Sequence, residues 1–176
     1  LNPMIQKAVK LGKVPPKMRE QFRRNALNLL SSGAVGFGEL SAEHFSLGPK
    51  HEHQSAPPNH ELFLLLADIA ASKNIPIDLH MEIVPKKMKT PTDLKSSKNP
   101  PMIDANLDRF EKLLAHNRKA KIIWSHVGWD NTGYRTVDMI DKLMAKHPNL
   151  YMSFKISAKD SIAKNSPMAN GALKED

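Results

Sequence analysis

The stretch from Ile75 to Ile83 reads IPIDLHMEI and decides how the rest of the chain is interpreted. Its apolar residues alternate with Asp78, His80 and Glu82, so an extended strand here has one apolar face and one ionisable face. Pro76 stands at the start, where the missing N–H of proline disturbs a strand least. We therefore predict a strand that packs its apolar face on helices and turns its polar face toward a functional site.

Three more short apolar runs have the length of strands: Ala34 to Leu40 (AVGFGEL), Lys121 to His126 (KIIWSH) and Leu150 to Ile156 (LYMSFKI). A helical stretch precedes each of the four strands: Pro16 to Leu30, Asn59 to Lys73, Ile103 to Asn117 and Thr136 to Lys146. Such alternation predicts an α/β fold in which βα units build a parallel sheet.

The chain is predicted to form a single domain over residues 1–176, with two segments outside the regular pattern. After Pro85 comes KKMKTPTDLKSSKNPP, rich in Lys, Ser and Pro. This segment is either a long loop at the strand-end face, where barrels place substrate loops, or a disordered surface insertion. The tail from Ala158 to Asp176 shows no clear period, so no structure is predicted there.

The composition limits the kinds of partner. The formal net charge is +8 and aromatic residues make up 6% of the chain. Because the basic residues are spread over many segments and base-stacking side chains are few, we expect no nucleic-acid partner. No apolar run approaches the roughly 18 residues that span a bilayer, so no membrane partner is expected either. The chain has no Cys, which leaves the compartment open, with a cytoplasmic location slightly favoured.

Ionisable groups recur where three consecutive strands end. They are Glu39 after AVGFG, His80 in IDLHMEI and His126 after KIIWS. Singly, Glu39 could accept hydrogen bonds from loop N–H groups, and either histidine could be a core residue. Together they match the imidazole and carboxylate ligands of Zn²⁺ and related ions, which generate a nucleophile from water near neutral pH. We therefore predict a divalent metal site, with zinc favoured.

GFGELS, PIDLHMEI and KIIWSHVGW resemble strands four, five and six of the amidohydrolase superfamily. The similarity is to the metal-dependent TIM-barrel hydrolases that include the TatD-like and amidohydrolase-2 families. It covers roughly Ala34 to Ser157, with Leu150 to Ile156 as strand seven. The resemblance implies a (β/α)8 barrel of which about four βα units are present, so the chain is expected to be the middle portion of a barrel.

The resemblance also implies roles for these residues. Glu39, His80 and His126 would bind one or two metal ions, and His126 and Glu39 would serve in catalysis. The implied reaction is attack of a metal-activated water on a lactone, amide or ester in a small-molecule substrate; related barrels also run decarboxylation. The superfamily's His-x-His at strand one and Asp at strand eight have no counterpart here. His51 and His53 spell His-x-His but lie in a Pro-bearing loop, so we expect them to be a decoy.

Trp129 and Arg135, in the turn GWDNTGYRT after His126, are candidate contacts for an apolar or anionic substrate. A packed aromatic and a surface charge are the alternatives. Two other functions stay open for the whole chain. One is a non-catalytic barrel that binds an anionic ligand, and the other is a structural protein. A homo-oligomer is possible, because an open half-barrel would expose strand edges.

Overall fold

The computed structural model describes residues 1–127 and 129–154 and the backbone of two short strands at 168–169 and 172–173. The helices in these ranges are α1 (Asn2–Leu11), α2 (Pro16–Ser31), α3 (Glu61–Lys73), α4 (Leu107–His116) and α5 (Val137–Lys146). The strands are β1 (Phe37–His44), β2 (Gln54–Ser55), β3 (Pro76–Met81), β4 (Met88–Lys89), β5 (Met102–Ile103), β6 (Lys121–Val127), β7 (Leu150–Phe154), β8 (Met168–Ala169) and β9 (Ala172–Leu173).

The central sheet has five strands in the order β2-β1-β3-β6-β7. The strands β1, β3, β6 and β7 run parallel, and β2 pairs antiparallel with β1. The predicted α/β fold with a mostly parallel sheet is therefore confirmed. Along the parallel part, spatial neighbours follow chain order, so each helical connection carries the chain to the next strand. The carboxyl ends of all four parallel strands consequently lie at one edge.

The apolar face of this sheet packs on the helices. On β3, Ile77, Leu79 and Met81 are each at most 2% exposed, which confirms the alternation predicted from IPIDLHMEI. The helix α3 packs against β3 and β6, and Trp124 on β6 meets Phe110 of α4 with ring centroids 5.4 Å apart. Burying one such side chain contributes about 1.5–3 kcal/mol, so this face holds the sheet to its helices. No helix among the described residues has the length and apolar content needed to cross a membrane.

Several predicted boundaries were wrong. β1 begins at Phe37 and continues to His44, so Glu39 lies inside the strand and not at its end. The helix predicted from Ile103 begins at Leu107, because Ile103 pairs with Met88 in the β4–β5 ladder. The helix α1 was not predicted. β7 is described as far as Phe154, so the last two residues of the predicted strand, 155 and 156, lie outside the described residues.

The Lys- and Pro-rich segment after Pro85 forms an ordered loop in the structure. Its ends meet in the β4–β5 ladder. Asn99 accepts a hydrogen bond from the backbone N of Ser46 at 2.8 Å and donates to the Ser46 carbonyl at 2.9 Å. Because Ser46 follows β1, these bonds hold the loop beside the carboxyl end of that strand. Of the two sequence interpretations, a loop at the strand-end face is the one that the structure favours.

Candidate metal centre

The three predicted ligand residues converge at the carboxyl edge of the sheet. Glu39 Oε1 lies 2.7 Å from His80 Nδ1, and Glu39 Oε2 lies 3.0 Å from His126 Nε2. One ligand atom from each residue can be chosen so that all three atoms lie within 4.8 Å of one another. Three consecutive parallel strands therefore contribute one side chain each to a single cluster, which we call the EHH group.

The position of Glu39 depends on an irregularity in β1. Phe37 pairs with Ile77, but the next paired residue is Leu40, opposite Leu79. Two residues of β1 thus stand against one of β3, which is the pattern of a β-bulge that redirects a side chain. The bulge includes Gly38, where a Cβ atom would lie 2.6 Å from the Asp78 Cβ. Only glycine lets the two strands approach this closely.

His126 reaches the group through an unusual backbone conformation. Strict alternation from Ile122 and Trp124 would point its side chain toward the helices. Its φ angle is 61°, in the left-handed region that residues other than glycine seldom adopt. This turn directs the imidazole to Glu39 instead, while its backbone N donates to Ser153 Oγ at 3.3 Å. Backbone strain of this kind is concentrated at functional sites.

The electrostatics of the group favour an ionised carboxylate. The hydrogen bond with His80 lowers the pKa of Glu39 to about 2, and the charges of His80 and His126 act in the same direction. Partial burial opposes this shift without overcoming it. The side chain of Glu39 is 36% exposed and that of His126 is 30% exposed, so the group faces outward on one side.

His44 belongs to this site, although it was not among the residues predicted for it. Its ring centroid lies 4.1 Å from that of His80 and 4.6 Å from that of His51. Burial, followed by the nearby His80, lowers the pKa of His44 to about 4, so it is neutral at pH 7. The signal was present in the sequence: the apolar Leu40 and Ala42 continue the strand alternation, which would have extended β1 to His44.

Glu82 lies behind His80 and is 1% exposed. Asn131 donates to both of its oxygens, from Nδ2 at 2.6 Å and from the backbone N at 3.2 Å. Burial raises the pKa of Glu82, and the positive charge of Arg135 opposes that rise. Its Oε1 atom is 3.9 Å from His80 Nε2.

Trp129 and Arg135 have different positions relative to the group. Trp129 lines a cavity of about 70 Å³ together with His44, Phe45, Leu47, His80, Glu82, His126 and Asn131. Substrate contact by Trp129 stays a prediction that this position favours. Arg135 is 4% exposed, and its guanidinium donates to the backbone carbonyls of Met81, Ser125, His126 and Trp129. Its observed role is to anchor the loop, because these bonds direct the guanidinium at backbone oxygens.

The two histidines of the His-x-His sequence lie near the site but outside the EHH group. The ring of His51 contacts His44, and its Nδ1 accepts from the backbone N of Leu47 at 3.1 Å. His53 Nε2 lies 2.7 Å from Glu43 Oε1, and Ser55 Oγ donates to Glu43 Oε2 at 2.6 Å. These two side chains thus have partners of their own, and their exclusion from the metal ligands stays a prediction.

Comparison of the chain with models of known protein families finds no match, and comparisons with curated proteins and with solved structures find none either. The resemblance to the amidohydrolase superfamily therefore depends on the quoted strand motifs alone.

Proposed function

We propose that this chain belongs to a metal-dependent hydrolase in which Glu39, His80 and His126 bind a divalent ion, with zinc the favoured metal. One observation carries the proposal: three side chains chosen from sequence pattern, on three different strands, meet within 4.8 Å. Two imidazoles and a carboxylate are a donor set suited to Zn²⁺. The proposed reaction is attack of water on a lactone, an amide or an ester.

We further propose that the sheet is part of a (β/α)8 barrel. In support, the spatial order of the parallel strands follows their order in the chain, as in a barrel. In a doubly wound sheet the strand order reverses part-way through the sheet. The sheet face away from the helices carries polar groups such as Asp78, which accepts a hydrogen bond from Ser125 Oγ. In a barrel this face lines the interior, and catalytic groups lie at its carboxyl end.

The donor set fits a catalytic ion better than a structural one. Three protein ligands leave a coordination position open for water or substrate, whereas structural zinc sites have four. The partial exposure of Glu39 and His126 gives access from one side. When bound there, a divalent ion would supply a water-derived nucleophile at neutral pH and polarise a substrate carbonyl.

The protein side chains would divide the remaining work. His80, only 7% exposed, would be a fixed ligand. His126 would be a ligand or would polarise the substrate carbonyl, and Glu39 would be a ligand or would position the substrate. The neutral His44 and the indole of Trp129 wall the cavity next to His80, so they would limit the entry of water. A related decarboxylation reaction would use the same ligands.

The first test is zinc binding by the whole chain and by His80→Ala. We expect the unmodified chain to bind about one equivalent of Zn²⁺ and His80→Ala to lose most of that affinity. The matched control is His116→Ala, because His116 lies on α4 and pairs with Asp68 at 3.1 Å, away from the EHH group. Hydrolysis of lactone, ester and amide substrates should require the ion and disappear with chelator.

A His80→Ala chain that keeps both its metal content and its hydrolytic activity would refute these roles. Binding of small anions that survives chelation and weakens steeply with salt would favour a non-catalytic barrel.

A further inference from the structure

The carboxylate of Glu82 is fixed next to His80 by contacts that the proposed ligand set does not explain. It is 1% exposed, and each of its oxygens receives a hydrogen bond from Asn131. Isolated buried carboxylates are costly, so such a residue needs a reason to be there. One reason is that Glu82 joins the loop after β6 to the end of β3 through Asn131. The geometry of His80 suggests a second reason.

The imidazole of His80 lies between two carboxylates. Its Nδ1 atom faces the EHH group, 2.7 Å from Glu39 Oε1, and its Nε2 atom is 3.9 Å from Glu82 Oε1. A histidine ligand binds a metal with one unprotonated nitrogen and carries its proton on the other. The nitrogen that faces the other two ligand residues is Nδ1. The hydrogen bond of Nδ1 with the ionised Glu39 carboxylate needs a proton on Nδ1. A metal ion bound at Nδ1 would replace that proton, and the proton of the ring would then be on Nε2, which faces Glu82.

We propose that Glu82 is a positioning residue that orients His80 and keeps its proton on Nε2, so that Nδ1 is the ligand atom. This inference rests on the metal binding proposed above. The separation of 3.9 Å is longer than a hydrogen bond, and a movement of about 1 Å would close it. Carboxylates in this position set the tautomer and the basicity of metal-binding histidines, and their loss typically weakens metal binding 10- to 100-fold.

The loop after β6 is built to hold Asn131 against Glu82. Asp130 accepts hydrogen bonds from the backbone N atoms of Thr132, Gly133 and Arg135 at 2.9–3.0 Å, which fixes the turn. Thr132 Oγ1 donates to the Ile83 carbonyl at 2.8 Å. Thr132 thus staples the same loop to the residue that follows Glu82, without contributing to the carboxylate. It provides a control for a purely structural role.

The test compares zinc affinity in Glu82→Gln and Thr132→Val, measured by competition with a chromophoric chelator. Glu82→Gln keeps the shape of the side chain and removes its charge. We expect it to weaken zinc binding about 10- to 100-fold. Thr132→Val should change the affinity by less than about threefold, although it also loosens the loop. Equal losses in both variants would mean that Glu82 acts only through the loop.

A second readout does not depend on affinity. Long-range ¹H–¹⁵N NMR of the zinc-loaded wild-type chain identifies which nitrogen of each histidine carries a proton. We expect His80 to carry it on Nε2. A proton on Nδ1 would overturn the proposal directly, since the ligand atom would then be Nε2.

The outcomes separate this inference from the proposed function. If the wild-type chain does not bind zinc, both fail. If it binds zinc and Glu82→Gln binds within threefold of it, only the role of Glu82 fails. If circular dichroism shows that Glu82→Gln is unfolded, Asn131→Ser replaces it, because it removes the amide group that donates to Glu82 Oε1 and leaves Glu82 in place. We expect Asn131→Ser to weaken binding several-fold, and unchanged affinity would reject the proposal.

Discussion

Replacing Arg135 with Met should be among the most damaging single changes in this chain. The guanidinium joins the carboxyl end of β3, the carboxyl end of β6 and the loop that follows β6. It does so through the carbonyl oxygens of Met81, Ser125, His126 and Trp129, with three of the distances between 2.8 and 3.2 Å. It also lies over the Trp124 ring, 4.6 Å from the centroid. Met fills a similar volume but has no donor, so four carbonyls lose this partner.

The expected cost follows from these contacts. A hydrogen bond that involves a charged group contributes about 1.5–3 kcal/mol, and such bonds on one side chain are not additive. Removing one member of a buried charged network costs about 3–5 kcal/mol. Because Arg135 is 4% exposed and its charge also opposes the shift at Glu82, we expect a loss in that range. In urea this corresponds to a fall of the unfolding midpoint by about 1–2 M.

Urea unfolding followed by circular dichroism measures this loss. Arg23→Met is the matched control, because Arg23 is exposed on α2, and we expect it to change the unfolding free energy by less than about 0.5 kcal/mol. Arg135→Lys should recover only part of the stability, since an ammonium group lacks the planar fork that reaches several carbonyls. A midpoint for Arg135→Met within about 0.2 M of the unmodified chain would refute the anchoring role.

Three further changes test other parts of the structure. Gly38→Ala places a Cβ 2.6 Å from Asp78 Cβ, so it should lower the unfolding free energy by about 1–3 kcal/mol and weaken zinc binding. The control is Gly48→Ala, because a Cβ there would have no atom within 4 Å, and equal effects of the two changes would contradict the close approach at Gly38. Leu66→Ala should destabilise by about 2–5 kcal/mol in urea unfolding, because Leu66 is 0% exposed, whereas Leu29→Ala at 45% exposure should have a small effect. Zinc at 100 times its dissociation constant should raise the unfolding free energy by about 2.7 kcal/mol, and a chelator should reverse this increase. His80→Ala should abolish the increase. An increase that persists in this variant would mean that the ion binds elsewhere.

The sequence predicted the four parallel strands and the helices between them because each element buries one face. Alternation in IPIDLHMEI separates Ile77 and Leu79 from Asp78 and His80, and the two apolar side chains are buried as that separation predicts, although His80 is also only 7% exposed. The spacing of apolar residues predicted the helix α3 for the same reason. The helix α1 was not predicted, although its own residues Ile5 and Ala8 are buried. Because the first strand was predicted to end at Leu40, His44 was not recognised as part of the site.

What the sequence by itself determined was the set of residue types and the strand on which each one lies, since parity along a strand is a local property. It assigned Glu39, His80 and His126 to three strands of one parallel sheet. Whether they meet was decided by the tertiary structure, through the bulge at Gly38 and the left-handed conformation of His126. Both irregularities reverse the side-chain direction that alternation predicts. Both lie where residues far apart in the chain meet: Gly38 beside Asp78 on the neighbouring strand, and His126 under Arg135, which also binds the Met81 carbonyl 54 residues earlier. Such contacts leave no periodic signal in the sequence.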